Sequence, residues 1–338
     1  MAETLVAVTK RSSGVALVSF YTPGASQNTL SASTLEALNR ALDQIAEDES
    51  TTGLILRSTQ PGSFIAGVNL FEFADIIGDA PDKARARFVQ VSGFGRQVLQ
   101  RLRCFTTRAG KPLRTVALIE EGPCFGGGLE LACCCNARLS LHAPDDNLAK
   151  AVRFRMPETA INFAPDWGGT YLLPRLMGVL PALGLLLSPL KALDASRAYE
   201  LGLVDFSLPR SEDSEQALRI AERFALDSAS IPVRRLSAAQ RMQRWLLKNR
   251  GLLGWIARAV TRRFYRGVIK LLGPGGKRSD GLRATLDLVL KSVVSSDLQC
   301  QEREAQAALR LALGETCKSQ LAQYLKMLSR KKAPTAAK

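Results

Sequence analysis

Over its first 200 residues the chain alternates short apolar runs with amphipathic stretches of helical period, and after Asp194 it looks largely helical through Lys332. Val15–Phe20 (VALVSF), Gly53–Arg57 (GLILR) and Thr115–Ile119 (TVALI) are short and apolar, and read as buried strands. Between the first two, Leu35, Leu38, Leu42 and Ile45 share one helical face, with Ser31 or Ser33 offering the N-cap oxygen. Strands separated by helices predict an α/β layer fold, followed by an all-helical C-terminal extension. Gly273-Pro-Gly-Gly276 is the clearest break in that extension, and residues 333–338 read as a frayed tail or linker. With 338 residues, 46% of them hydrophobic, the chain can bury one large core or two smaller ones.

The sequence contains one histidine, His142, so no multi-histidine metal site can be built, and no metal is expected. Seven cysteines, three of them consecutive at Cys133, Cys134 and Cys135, are not a disulfide framework and predict reduced thiols. The longest apolar run, Leu176–Leu187, has 12 residues and is broken by Pro181, too short for a bilayer span. MAETLVAVTKRSS at the start lacks the pattern of a secretory signal. Thirteen of the 15 net positive charges fall between Val233 and Ser279, where no Asp or Glu occurs, so the rest of the chain is nearly neutral.

Three segments carry chemistry. Gly126-Gly-Gly-Leu-Glu130 follows a buried strand and opens a helix, where glycines let a backbone approach a ligand and the first N–H groups favour developing negative charge. A triple glycine is also compatible with a tight turn alone. It is neither a G-x-G-x-x-G fingerprint nor a phosphate-binding loop ending in Gly-Lys-Ser/Thr. Ser63-Phe-Ile-Ala-Gly-Val-Asn-Leu70, by itself, is a loop before a helix. Met156–Thr170 sets Glu158 and Asp166 among apolar, Pro and Gly residues, either as desolvated carboxyls with raised pKa or as exposed loop acids.

In this order and spacing, the three segments resemble the crotonase superfamily, the enoyl-CoA hydratases and isomerases. The likeness covers roughly residues 1–210, down to Arg197-Ala-Tyr-Glu-Leu-Gly-Leu-Val204. Val15-Ala-Leu-Val18, Asn28-Thr-Leu-Ser31 and Pro61-Gly-Ser-Phe-Ile-Ala-Gly67 resemble the hydratase parts of the α-subunits of trifunctional fatty-acid β-oxidation enzymes. So does the helical stretch Ser279–Lys332. The resemblance implies a crotonase-type ββα superhelix over 1–210, then a helical extension over 211–332 with a basic amphipathic segment at 233–279. It places the oxyanion-hole N–H groups on Val68 and Gly127, substrate contacts on Ala66, Gly67, Gly126 and Gly128, and the catalytic acids on Glu130 and Glu158. No cofactor is expected beyond the coenzyme A of the acyl-CoA thioester substrate, and with no dinucleotide fingerprint these residues are not expected to act as a dehydrogenase.

The sequence also departs from the family. An insertion is expected around Leu141–Val152, which would include His142. Val68-Asn69-Leu70 stands where Gly-Asp-Ile or Ala-Asp-Ile is usual, and Pro165-Asp-Trp-Gly168 replaces Pro-Gly-x-Gly. Asp166 resembles the proton-shuttling acid of the isomerase branches, eight residues after Glu158 as in the dienoyl-CoA isomerases, although those carry Asp at the position of Glu130. Three functions follow: hydration of 2-trans-enoyl-CoA, isomerisation of 3-enoyl- or dienoyl-CoA through Asp166, or an inactive acyl-CoA-binding scaffold. In the basic segment, Ile256, Val260, Phe264 and Val268 recur every four residues in step with Arg258, Arg262, Arg266 and Lys270. Such a helix suits an anionic, cardiolipin-rich membrane surface or an acidic partner, or else packs on its own domain with a solvated basic face. Nucleic acid is not expected. The resemblance further implies a thiolase-type β-subunit partner, an oligomer, and location on the matrix side of the mitochondrial inner membrane or in a peroxisome-like organelle.

Overall fold

The computed structural model describes residues 5–142, 150–209, 214–231, 238–272 and 279–332. The chain opens with strands β1 (Val6–Lys10) and β2 (Val15–Phe20), helix α1 (Ala32–Glu47) and β3 (Gly53–Ser58). Two helices, α2 (Leu70–Gly78) and α3 (Pro81–Arg103), precede β4 (Thr115–Ile119), β5 (Pro123–Phe125) and α4 (Gly127–Cys134). Then come β6 (Ala137–His142), β7 (Arg153–Arg155), a 3-10 turn at Glu158–Ile161, α5 (Gly169–Met177) and α6 (Val179–Leu186). The core continues through β8 (Leu193–Asp194), α7 (Ala195–Leu201), β9 (Phe206–Pro209) and α8 (Ser214–Leu226). Five helices complete the described chain but for a short 3-10 turn after α8: α9 (Ala238–Lys248), α10 (Leu252–Leu272), α11 (Ser279–Ser292), α12 (Asp297–Ala312) and α13 (Glu315–Lys332).

Six strands form one sheet in the order β1-β2-β3-β4-β6-β9, parallel except for the β1–β2 pair, and β5, β7 and β8 form a second, smaller sheet. Side chains alternate across the large sheet as strand geometry requires. Val15, Leu17, Ile55, Val116, Leu118 and Leu139 meet Ala217, Leu218, Ala221 and Phe224 of α8 on one face. Ala16, Val18, Leu54, Leu56 and Ala117 meet α1 and α3 on the other. Ser31, and not Ser33, caps α1, its hydroxyl accepting from Thr34 N.

One sequence expectation needs correction, and two strands gave too little local signal to be read. β1 has only Val6 fully buried, so at the sheet edge it carried too little apolar pattern to read as a strand. Leu141 and His142 belong to β6, not to an insertion: they pair with Leu208 and Pro209 of β9, and His142 Nδ1 meets Ser207 Oγ at 3.2 Å. Residues 143–149, the middle of that expected insertion, lie outside the described residues. β9 lies within the predicted core, in the stretch read as largely helical after Asp194, and is a second strand whose pattern was not read. The Gly273–Gly276 break and the 333–338 tail also fall outside the described residues.

The extension packs into the core. Leu282, Leu286, Val289 and Leu290 of α11 and Cys300 of α12 join the main cluster, while Ala308, Ala312, Cys317 and Leu321 of α12 and α13 close on Ile76, Ile77 and Phe88 of α2 and α3. On α10, Ala257, Tyr265 and Ile269 face the protein, whereas Ile256, Val260 and Phe264 are 42–64% exposed. The apolar strip seen in the sequence is thus the outer one. Arg258 and Arg262 turn inward, Arg258 donating to the carbonyls of Leu247 and Asn249 and Arg262 pairing with Asp287. All seven cysteines are free thiols, and every one except Cys104 is buried.

Candidate active site

The site begins where β5 adds a strand to the loop after β3. Ile65 N donates to Pro123 O and Phe125 N to Ile65 O, at 3.0 Å each, while Ala66 N donates to Asn28 O and Leu30 N to Gly67 O. Asn28 is the fixed point beneath: its buried Nδ2 donates to Phe20 O, Ser58 Oγ and Phe64 O. Asn69, which departs from the family's usual acid, is the N-cap of α2 and accepts from Phe71 N and Glu72 N. An Asn side chain oxygen does this as well as a carboxylate. These bonds hold Val68 between two anchored neighbours.

All three glycines of the triplet are needed, each for a different neighbour. A Cβ on Gly126 would come within 2.7 Å of Glu158 Oε1, on Gly127 within 2.9 Å of the Trp167 ring, and on Gly128 within 2.4 Å of Ile65 O. The Gly127 position also lies 3.2 Å from Val68 Cγ1, so the two residues are side by side. Gly126 N donates to Arg155 O, and Leu129 N and Glu130 N to Gly126 O. Among the described residues the N–H groups of Val68 and Gly127 have no protein acceptor, and both residues line one cavity of about 690 Å³. Two unfilled amide donors at a helix start form a site for developing negative charge on an oxygen.

Glu130, Glu158 and Asp166 line the same cavity, together with Ala66, Gly67, Gly126 and Gly127; Gly128 lies behind it, against Ile65. The three carboxyls sit differently. Glu130 is buried, and its Oε1 accepts from Trp167 N at 2.9 Å and Gly169 N at 2.8 Å, the latter opening α5. Burial pushes its pKa up; the two amide donors, at the positive end of a helix, pull it back toward the ionised form. Glu158 is pushed up by burial and by the charge of Glu130, and its Oε2 is buried without a hydrogen-bond partner. In a coupled pair of this kind Glu130 holds the charge and Glu158 holds the proton.

Asp166 is buried too, but both oxygens are occupied. Oδ1 accepts from Arg96 Nη2 at 2.6 Å and Oδ2 from Ser92 Oγ. Burial raises its pKa against the opposing pull of Arg96 and Ser92. Trp167 fixes the same loop, its indole N–H donating to Ser92 O at 3.1 Å. Sequence reasoning missed Ser92 and Arg96, which lie one helical turn apart on α3 without any local motif. It also missed Glu304 of α12, which accepts from Thr170 N at 2.9 Å. A polar stripe Asp297, Gln301, Glu304 on an otherwise apolar face of α12 was the available signal.

Away from the acids the cavity is apolar. Phe73, Ile76, Phe88, Val91, Ile161 and Phe163 line it, and Tyr324 and Leu328 of α13 contribute from the far end of the chain. Its size and lining match a ligand pocket with few polar groups. Arg155 stands at the Glu158 side, its guanidinium 4.4 Å from the Phe125 ring centroid. Among the described residues no group of His, Cys, Asp or Glu is arranged to hold a metal ion.

A parallel-strand core with paired amide donors facing two glutamates over an apolar pocket defines a crotonase-type fold. The family model for enoyl-CoA hydratase/isomerase matches residues 10–245, and the chain belongs to that family. It is 36% identical over 219 residues to the fatty acid oxidation complex subunit alpha of Aliivibrio fischeri, a match covering 64% of this chain and 28% of that protein. The chain therefore corresponds to only part of the length of this relative. Among solved structures it is similar to the enoyl-CoA hydratase of Bacillus halodurans, at 19% identity and a TM-score of 0.61, covering 94% of this chain and 99% of that one. It is also similar to a carnitinyl-CoA dehydratase of Mycobacterium thermoresistibile, at 17% identity and a TM-score of 0.66, covering 96% and 90%.

Proposed function

We propose that the protein hydrates 2-trans-enoyl-CoA thioesters to 3-hydroxyacyl-CoA. The observation that carries this reading is the unequal pair: Glu130 seated on two N–H groups and Glu158 with an orphaned oxygen, both facing the Val68 and Gly127 amides. The thioester oxygen is placed between those amides. Glu130 takes a proton from water, the resulting hydroxide bonds to C3, and charge moves onto the thioester oxygen. Glu158 then gives its proton to C2, and the π bond is replaced by one C–O and one C–H bond. The acyl chain occupies the apolar end, bounded by Phe88, Phe163 and Tyr324. No cofactor is invoked beyond the coenzyme A of the substrate.

Loss of enoyl-thioester absorbance on adding protein tests this. Glu130→Gln and Glu158→Gln are each expected to lower turnover by about 10²–10⁴-fold, and undiminished turnover in the double variant would exclude the reading. Isomerisation through Asp166 is the alternative, favoured only by the presence of Asp166 on the cavity wall. Its two oxygens are already committed to Arg96 and Ser92, so Asp166→Asn is expected to spare hydration. Its loss together with turnover of 3-enoyl- or dienoyl-CoA would assign the protein to the isomerases. Acyl-CoA binding without turnover on any enoyl isomer would make it a scaffold.

The outer face of α9 and α10 supports a second, independent property, adhesion to an anionic membrane surface. Met242, Trp245, Leu252, Leu253, Trp255 and Phe264 are all more than half exposed in the segment that lacks acidic residues. Among the described residues no helix is long and apolar enough to cross a membrane. The Aliivibrio relative is named as a subunit of a fatty acid oxidation complex, which supports a partner subunit for this chain. That the partner is of thiolase type, that the protein is an oligomer and that it lies at the mitochondrial inner membrane are proposed on the sequence resemblance alone.

A further inference from the structure

Helix α5 starts without a side-chain cap of its own. Its N-cap is Gly168, at φ +118°, and two carboxyl groups from elsewhere satisfy its first donors: Glu130 accepts from Gly169 N, and Glu304 accepts from Thr170 N and Thr170 Oγ1. Glu304 comes from the C-terminal extension, 134 residues after Thr170, and is fully buried. Its other oxygen has no partner. The helix that carries it is clamped to α3 and α5 along the same face. Asp297 pairs with Arg103 at 2.5 Å and with Arg175, and Gln301 donates to Tyr171 Oη at 3.3 Å and to Gln100 Oε1 at 2.9 Å.

We infer that Glu304 is a positioning residue for Glu130: by fixing the first turn of α5 it fixes the two N–H groups on which the Glu130 carboxylate sits. The inference rests on the acid–base reading above and extends it to the helical extension. A buried carboxyl with one oxygen unpaired is a costly way to hold a helix end, and simple packing does not require it. The groups facing Glu304 are Glu130 from α4, Asp166 from the loop before α5, Tyr171 from α5 and Cys300 on its own helix. Facing Glu130 are Asp166, Arg96, Glu158, Glu304 and, on its own helix, the thiols of Cys133 and Cys134. Burial and the neighbouring Glu130 and Asp166 carboxyls push the Glu304 pKa up, against the pull of its bonds from Thr170. A glutamine at this position carries no charge and keeps an acceptor for Thr170.

The full chain is assayed as Glu304→Leu, Glu304→Gln and Thr170→Val, each with a pH profile of hydration and a thermal melt. In parallel the carboxyl ¹³C shift of Glu130 is titrated, assigned with Glu130→Gln. Glu304→Leu is expected to lower kcat by roughly tenfold or more with KM within about twofold. It should also raise the acid limb, and the Glu130 titration, by about one pH unit. Glu304→Gln restores both. A lowered Tm with neither midpoint moved would show a merely structural role and overturn the inference. Should Glu304→Leu not fold, Thr170→Val decides alone, with a smaller upward shift expected and an unmoved Glu130 midpoint overturning it. If the wild type hydrates no substrate but the Glu130 shift occurs, the hydratase reading fails and the positioning role stands. Turnover with no shift sinks the positioning role alone.

Discussion

Glu130 and Glu158 are the same residue type in one pocket, and their surroundings separate them. Two amide donors hold one as an anion, and an unpartnered oxygen leaves the other as an acid. A carboxyl whose folded pKa is raised costs nothing at pH values below the ordinary carboxylate range, where folded and unfolded chains are both protonated. As pH climbs past that range only the unfolded chain releases its proton, and the folded state loses stability until the raised pKa is passed. Glu158→Gln removes that loss. Its Tm should exceed that of the wild type by on the order of 2–4 °C at pH 8 and match it near pH 4, measured by calorimetry across pH. Both glutamates were legible in the sequence because each is flanked by glycine or proline whose purpose is local. Arg96, Ser92 and Glu304 were not, because each finds its partner 70 or more residues away and leaves no motif. Asp166 was legible as a residue and misleading as an isolated acid, since the ion pair that occupies it lies on another helix.

Elements repeat the lesson. β2, β3 and β4 were readable because their apolar runs are buried on both faces. β6 (ARLSLH) lies between β4 and β9, yet carries Arg138 and Ser140 inside. Arg138 is tolerated because it donates to Cys135 O and Leu203 O and pairs with Asp205, partners no local pattern announces. For α4 the constraint is steric. Gly128→Ala drives a methyl into Ile65 O and displaces the loop that carries Val68, whereas Gly93 on α3 has nothing within 4 Å of the same position. Gly128→Ala is therefore expected to cost about 1–3 kcal/mol and to lower kcat, while Gly93→Ala gains up to about 1 kcal/mol and leaves kcat alone. Urea denaturation and the hydration assay on both variants check this; equal effects would refute the steric account.

At the scale of the molecule, charge and chemistry occupy different places. The pocket lies in a nearly neutral core, and the positive excess lies along α9–α10, where the exposed apolar strip runs beside Arg263, Arg266 and Lys270. Flotation with cardiolipin-containing vesicles is expected at low salt, to weaken at high salt, and to be lost in the triple variant Ile256→Ser, Val260→Ser, Phe264→Ser with hydration unchanged. No binding at low salt would rule the membrane reading out. The bond between Thr170 and Glu304 has a consequence for how the protein is made. Synthesis proceeds from the N-terminus at roughly 5–20 residues per second, so a nascent chain completes its sheet and both cavity glutamates well before α12 leaves the ribosome. During that interval α5 lacks one of its two end clamps, while α10 already displays its apolar strip. A chain stalled there would offer a surface to bind and a pocket whose Glu130 seat is not yet fixed, which makes the emergence of α12 the step that completes the cavity.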